Sequence, residues 1–448
     1  MKIRLMNKFI ITIIIGALST PILAQETDHT MSLDEAVAYG LVHNQNLLNA
    51  KLDVESAEGF VKENIATGYP QISANIDVAD NFELPTSFVP GEFFGGQPGE
   101  YVPVQFGTKF SGNATISGTQ MVFDGVFFVG LKAAKTYQEL STKDLIRTEI
   151  DIIENVTKSY YNVLVNKLTL ELVEKNYGRL DTLLQETKAM REGGFAERID
   201  VSRVQVQFNN MKVTLNNAET GLKISEHLLK FQMGMPIEES IMLTDELSLA
   251  MFDNAVEEEF SYEQRIEYST LQTQERLAQL DIKRVNMMYL PNLDLYANIG
   301  AVAGTGSGAS LFNLGNEWFS FGFVGLRMNI PVFDGLMKHR MVQQRKAKLS
   351  QVYNSYDLLK NSINLEIEQT RIAYNNAVQD MNMQLENVNI SEEVYNITKT
   401  KYQQGIGSNI EVINADADYK QAQTNFFQAL YTAVVSKVDY EKALGNLN

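Results

Sequence analysis

The sequence predicts an exported, mostly α-helical protein with membrane-length β-strands, built from two tandem structural repeats. Three observations predict this class: an internal repeat, four alternating stretches of strand length, and two helical stretches too long for a globular core. The formal net charge of −17 over 448 residues argues against a nucleic-acid partner. The absence of cysteine excludes disulfides, thiolate metal sites and cysteine nucleophiles, and four scattered histidines do not suggest a metal centre.

The repeat consists of short phrases that recur at a nearly constant offset. Val-Phe-Asp-Gly at 122–125 recurs at 332–335, and the glycine-led phrase at 194–201 recurs at 405–412. A periodic match of this kind indicates that the two halves share one design. We divide the chain into a signal peptide (1–24), a first repeat (25–236), a linker (237–261) and a second repeat (262–448).

The first 24 residues are interpreted as a cleaved secretory signal. Lys2, Arg4 and Lys8 form a basic start, and the apolar stretch that follows is too short to span a bilayer. A buried N-terminal helix is the alternative. Removal of the signal takes away three basic residues and makes the exported chain more acidic.

Each repeat is predicted to run helix, strand, loop, strand, very long helix, turn, helix. The strands are predicted from alternation, and each is about ten residues long, as a tilted membrane strand requires. A strand in a soluble sheet alternates in the same way. The apolar positions are Ile72, Ala74, Ile76, Val78; Phe110, Gly112, Ala114, Ile116, Gly118; Leu293, Leu295, Ala297, Ile299, Ala301; and, as predicted membrane-interface aromatics, Trp318, Phe319, Phe321, Phe323. Prolines and glycines over 85–103 predict a loop.

The long helices are predicted from long stretches without proline and with little or no glycine. Residues 337–404 contain neither glycine nor proline, and apolar residues recur there in steps of three and four, the seam of a coiled coil. Such a helix would be roughly 100 Å long. The counterpart over 126–192 also lacks proline. Helices of this length must run beside similar helices, and a rod-like coiled-coil protein without a pore is the alternative.

Membrane strands and long helices together predict an assembly. Four strands cannot close a barrel, because side chains already fill the interior at about eight strands. An open sheet in lipid would leave unpaired backbone groups at both edges, each costing several kcal/mol. We therefore expect strands from several identical chains to close one barrel, which the helices continue into the periplasm.

Several phrases together resemble the outer membrane efflux proteins of the TolC type. They are Met-Ser-Leu-Asp-Glu-Ala at 31–36 with Asn44 and Asn46, Gly-Tyr-Pro-Gln-Ile at 68–72, the two glycine-led turns, and Ala-Leu-Gly at 443–445. The resemblance covers residues 31–448. It implies a homotrimer whose subunits each give four strands to one outer membrane β-barrel, continued by a periplasmic α-helical barrel. A mixed equatorial region would include the linker with Glu257, Glu258 and Glu259.

The function that the resemblance implies is a passive exit duct of a tripartite efflux system. An inner membrane pump would deliver substrates through a periplasmic adaptor protein, and outer membrane lipid would surround the barrel. A type I protein secretion duct of the same fold and a non-channel coiled-coil surface protein are the alternatives.

No enzyme is expected, since no catalytic motif occurs. The glycine-rich phrase at 304–308 is not followed by a helix, so no cofactor is predicted.

The resemblance places function at the turns between the long helices. Gly194, Phe195, Gly405 and Ile406 would contact the adaptor. Asp200, Tyr402 and Glu411 would form the periplasmic gate, with a hydrogen bond from Tyr402 to Asp200 on the adjacent hairpin. Gly407 and Asn414 depart from the family's usual gate.

Two roles are predicted for the Glu411 side chain, and they need not exclude each other. It could line the constriction, or it could cap its own helix as the last member of the capping box Ser-Asn-Ile-Glu at 408–411. The acidic composition predicts a lumen that prefers cations over anions, because carboxylate rings in a narrow pore do so.

Overall fold

The computed structural model describes residues 29–247, 252, 260–308 and 318–447. The predicted signal peptide and part of the linker, including Glu257, Glu258 and Glu259, lie outside the described residues. Among the described helices, none combines the length and apolar character that a bilayer span requires.

The first half follows the predicted order. Its main elements are β1 (His29–Met31), α1 (Leu33–His43), α2 (Gln45–Ala66), β2 (Gln71–Asp80), β3 (Thr86–Pro90), β4 (Tyr101–Gln105), β5 (Phe110–Phe123), α3 (Gly125–Glu192) and α4 (Arg198–Met233). One prediction was wrong: the segment 85–103 is not only loop. It holds the hairpin β3–β4, which tolerates Pro103 because a two-stranded ribbon leaves one side of each strand without a ladder partner.

The second half repeats the order without that hairpin among its described residues. After the short strand β6 (Ile241–Leu243) come α5 (Ile266–Met287), β7 (Asn292–Thr305), β8 (Trp318–Asn329), α6 (Met337–Gln403) and α7 (Asn409–Leu444). The predicted linker therefore contains a strand, and β6 pairs in parallel with β1 at the start of the chain.

The four long strands form one antiparallel sheet in the order β2-β5-β7-β8. Register sorts the side chains into two faces. The apolar face carries Ile72, Ala74, Ile76, Val78; Ala114, Ile116; Ala297, Ile299, Ala301; and Trp318, Val324, Leu326, Met328. The polar face carries Ser73, Asn75, Asp77; Asn113, Thr115, Ser117; and Asn298. Among the described residues, β2 and β8 are the edges and each pairs with one strand only.

The register corrects one prediction about the last strand. Trp318 lies on the apolar face, opposite Ala303, but Phe319, Phe321 and Phe323 lie on the polar face. Phe323 is in register with Asn298, and Asn298 in turn accepts a hydrogen bond from the Ser117 hydroxyl at 2.6 Å. The three phenyl groups therefore lie on the face of the sheet opposite the apolar residues such as Ile76 and Val324.

The helices pack as two hairpins. α3 packs against α4, α6 packs against α7, and α3 also contacts α7, so α4 and α6 lie at the two outer flanks. Three clusters of buried apolar side chains lie between the helices, and one of them lies next to the turns. Its buried members are Val173, Leu180, Leu183, Leu184, Val204, Met211, Tyr395, Tyr402, Val412, Ala415 and Tyr419.

The last helix of each half ends against the residues that immediately precede α2 in the first half and α5 in the second half. Gly234 follows α4 with φ +74°, and a Cβ there would lie 2.5 Å from the carbonyl oxygen of His43. Gly445 follows α7 with φ +78°, and a Cβ there would lie 3.0 Å from the carbonyl oxygen of Gln264. In both places glycine is needed for the left-handed backbone and for the close approach.

A buried side chain completes each of these contacts. The amide of Asn44 donates to the carbonyl oxygen of Gln232 at 2.7 Å, and the guanidinium of Arg265 donates to that of Ala443 at 2.7 Å. Each donor satisfies a carbonyl group that the helix end leaves without an intrahelical partner. The two halves thus close at matching sequence positions with different side chains.

We expect Gly234→Ala to lower the free energy of unfolding by at least about 2 kcal/mol, since the methyl group meets a backbone carbonyl and the left-handed φ is strained. Gly178→Ala is the matched control. It lies inside α3 with open space around it, and alanine there should be neutral or stabilising by up to about 1 kcal/mol. Thermal unfolding of the purified protein in detergent, followed by circular dichroism, measures both. Equal melting temperatures for the two variants would contradict the assigned role of Gly234.

Candidate functional site

The two turns between the long helices have the same geometry. At the end of α3, Phe195 N donates to Met190 O at 2.8 Å and Gly194 N donates to Arg191 O at 3.1 Å. At the end of α6, Ile406 N donates to Lys401 O at 3.0 Å. Gly194 has φ +78° and Gly405 has φ +75°. Both turns are Schellman motifs, in which the N–H groups of a left-handed glycine and of the residue after it donate to the last helical carbonyl groups.

The residue after each glycine presents an apolar side chain to solvent. Phe195 is 84% exposed and Ile406 is 78% exposed. In a Schellman motif this side chain commonly packs back on the helix. Here the Phe195 ring lies over Gly193, and both side chains nevertheless remain largely exposed at the ends of the hairpins.

An open groove of about 390 Å³ lies beside the turns, between the first turns of α4 and α7. Its walls are mostly apolar. The lining residues are Ile199, Ser202, Arg203, Val206, Gln207, Ile410 and Ile413. The groove and the two exposed tip residues together form an accessible apolar surface at this end of the chain.

The predicted hydrogen bond between Tyr402 and Asp200 is absent from the described chain. Tyr402 is buried, and its hydroxyl accepts from the side-chain amide of Asn409 at 3.4 Å. The Asp200 carboxylate accepts from the backbone N–H of Glu197 at 3.1 Å and lies 3.7 Å from a guanidinium nitrogen of Arg203. Asp200 is thus engaged by the start of its own helix, whose first N–H groups need an acceptor.

Glu411 does not form the predicted capping box. Ser408 precedes α7 without a side-chain capping bond, and the exposed Glu411 contacts the Ser408 carbonyl only through its backbone N–H, at 3.2 Å. Asp200, at the matching place in the first half, is the acidic residue that accepts a capping bond. The carboxylate of Glu411 is therefore free to face solvent.

A buried ionic cluster joins the two hairpins near the turns, and sequence analysis missed it. Arg179 of α3 donates to the Asp416 carboxylate of α7 at 2.9 Å, and Lys420 pairs with the same carboxylate. Asp416 is only 4% exposed. The guanidinium carbon lies 4.6 Å from the ring centroid of Tyr395 and 5.0 Å from that of Tyr419. The cluster therefore ties α3 to both helices of the other hairpin.

Electrostatics show how tightly this cluster is enclosed. Burial lowers the pKa of the Lys420 ammonium, although the charge of Asp416 acts in the opposite direction. Burial also raises the pKa of the Tyr395 hydroxyl to about 12. One carboxylate thus balances two cations in a poorly solvated place, which makes the carboxylate the critical member.

No described group of three or more histidine, aspartate or glutamate side chains is arranged to hold a metal ion.

Known proteins resemble the chain along most of its length. Residues 264–446 match the family model described as "Outer membrane efflux protein". Outer membrane protein TolC of Vibrio cholerae is 22% identical over 359 residues, covering 75% of this chain and 77% of the relative. The probable efflux pump outer membrane protein TtgC of Pseudomonas putida is 20% identical over 422 residues, covering 93% and 83%. The crystal structure of the Campylobacter jejuni CmeC outer membrane channel has the same fold, with a TM-score of 0.71 at 15% identity over 92% of this chain and 85% of that chain.

We expect Asp416→Asn to destabilise the protein by about 3–5 kcal/mol, because it leaves Arg179 and Lys420 buried without a counter-charge. Asp418→Asn is the matched control, since Asp418 is exposed on the same helix and should change stability by less than about 0.5 kcal/mol. Denaturant unfolding of both purified variants provides the comparison. The cluster has no stabilising role if the two variants unfold at the same midpoint.

Proposed function

We propose that this chain, which is a TolC-like outer membrane efflux protein, is one of three identical subunits of a passive exit duct. An inner membrane pump would supply the energy and deliver substrates through a periplasmic adaptor protein. The observation that carries the proposal is that both flanks of the chain expose surfaces suited to a further subunit. In the sheet these are the edge strands, and in the helices they are apolar stripes.

In the sheet, the surfaces available to a further subunit are the two edge strands. β2 and β8 leave a row of backbone groups without partners among the described residues, and the apolar face between them is largely exposed, with Ile76 at 77% and Val324 at 71%. Backbone groups cannot stay unpaired in hydrocarbon. Pairing β8 of one subunit with β2 of the next would close a barrel with an apolar outside and a polar inside.

In the helices, the surfaces available to a further subunit are two exposed apolar stripes. The stripe on α4 consists of Ile199, Val206, Val213, Ile224 and Phe231, which are 50–67% exposed. The stripe on α6 consists of Leu358, Leu365, Ile372, Met383, Ile390 and Ile397, which are 49–69% exposed. Steps of seven and eleven residues return to one side of a helix, so each stripe is a seam for another helix. Packing α4 of one subunit against α6 of its neighbour would bury both stripes and close an α-helical barrel.

The turns would then form the periplasmic entrance. Phe195 and Ile406, which follow Gly194 and Gly405, are proposed as the adaptor contacts. Asp200, Tyr402 and Glu411 lie close to the turns and are proposed as gate residues. The ion pair between Arg179 and Asp416, rather than a bond from Tyr402, would hold the hairpins together.

The two helical seams can be tested by cross-linking, because the natural chain has no cysteine. Val213 and Ile390 lie at similar distances from the turns, on α4 and α6 respectively. We expect the double variant Val213→Cys, Ile390→Cys to form a disulfide-linked trimer on oxidation, visible on non-reducing gels. Each single variant is the control and should give no linked trimer. A double variant that stays monomeric in membranes and under oxidation would contradict the trimeric duct.

The exposed carboxylate of Glu411 gives a second test. Three copies near the entrance would form an acidic ring, so Glu411→Gln should lower the cation-to-anion permeability ratio a few-fold. Glu219→Gln, exposed on α4 and away from the turns, is the control and should leave the ratio unchanged. Reversal potentials of single channels under a salt gradient measure this ratio. An anion-preferring parent channel would contradict the acidic lumen.

A further inference from the structure

The polar face of the sheet carries one row of aromatic side chains that its surroundings do not explain. Phe319 is 70% exposed and Phe323 is 53% exposed. On this face the corresponding positions of β2 and β5 are serine, threonine, asparagine and aspartate. Large apolar rings on such a surface lose the benefit of burial, so a structural or binding role must account for them.

Part of the row has a structural role. A Cβ on Gly300 would lie 3.0 Å from the Phe321 ring, and a Cβ on Gly325 would lie 2.8 Å from the Tyr296 ring. Each ring covers a cross-strand glycine, a known way to stabilise a sheet at positions without side chains. No glycine lies against Phe319 or Phe323 among the described residues, so this role does not account for the whole row.

Two of the three rings are nearly parallel: Phe321 and Phe323 have centroids 6.5 Å apart and planes inclined by 22°. Inserting a flat ring between them would need about 7 Å, two van der Waals contacts of about 3.5 Å each. A flat molecule would therefore stack on the exposed sides of Phe319 and Phe323 rather than insert between Phe321 and Phe323. Tyr296 meets Phe323 edge-on at 6.0 Å, and the Arg327 guanidinium lies 4.9 Å from the Tyr296 ring.

The neighbouring subunit would not cover this row. In the proposed duct, β8 pairs with β2 of the next subunit, whose polar face presents Ser73, Asn75 and Asp77. These side chains are too short to cover phenyl rings, and Asp77 keeps the surface acidic. The row would therefore face the water-filled lumen, where passing solutes are the molecules available to contact it.

We infer that Phe319, Phe321 and Phe323 form a lumenal binding site for flat aromatic molecules, preferentially cationic ones, on their way through the duct. The inference rests on the proposed function, because the polar face must line a conducting lumen. Aromatic pairs add a modest attraction beyond area burial, which suits a site that must release its ligand. On this face Asp294 lies opposite Arg327 and offsets its charge, so Asp77 leaves the strands with a net negative charge that favours cationic rings over anionic ones.

The test is block of single-channel current by acridine orange, a planar aromatic cation, with tetrabutylammonium as the non-aromatic cation. We expect Phe323→Leu to shorten the acridine orange dwell time by about twofold to tenfold and to leave tetrabutylammonium block unchanged. Phe323 covers no described glycine, so the variant should fold, and trimers on gels verify this. Trp318→Leu, on the opposite face, is the control and should keep the parent dwell time.

Cysteine accessibility separates failure of the site from failure of the duct. A charged methanethiosulfonate should reduce the conductance of Phe319→Cys and leave that of Val324→Cys, on the other face, unchanged. A protein that forms no channel overturns the proposed function and the site with it. A conducting channel in which Phe319→Cys is inert, or in which Phe323→Leu keeps the parent dwell time, overturns the site alone.

Discussion

The contact that closes each half of the molecule is the one on which the rest of the structure depends. α3 runs 68 residues from the end of β5 to the first turn, α4 returns over 36 residues, and Gly234 ends α4 against His43 and Asn44. Gly445 ends α7 against Gln264 in the second half. Because helices are stiff, fixing the start of the first helix and the end of the second also fixes how far the turn between them lies from the sheet. The position of the tips is thus set far from the tips.

The same stiffness explains why one chain leaves so much apolar surface uncovered. Two hairpins side by side can bury the seams between α3, α4, α6 and α7, but their outer flanks have no partner in the chain. The sheet has the same problem at β2 and β8. In the trimeric duct proposed above, an identical neighbour would cover both flanks, and folding and assembly would then be energetically coupled.

The two halves follow a similar order of elements, but their tips differ. Both turns use the same glycine geometry, but Asp200 accepts a capping bond while Glu411 remains exposed. The ionic cluster is also one-sided, since Arg179 reaches Asp416 across the interface between the hairpins. The first hairpin therefore engages its acidic residue at the helix start, whereas the second hairpin leaves Glu411 exposed to solvent.

The order and approximate length of the long helices and long strands were determined by the sequence alone, because their signals are local. Missing proline marks α3 and α6, alternation marks the long strands, and glycines mark the turns. The short strands β3, β4 and β6 carry no such signal and appear only in the structure. The faces were decided only by tertiary structure: alternation separates Phe321 from Trp318, but only register with β7 and β5 shows that Phe321 lies on the polar side. The partners of Tyr402 and Asp416 were also decided there. Arg179 lies 237 residues from Asp416, and no local pattern links two single charges over that distance.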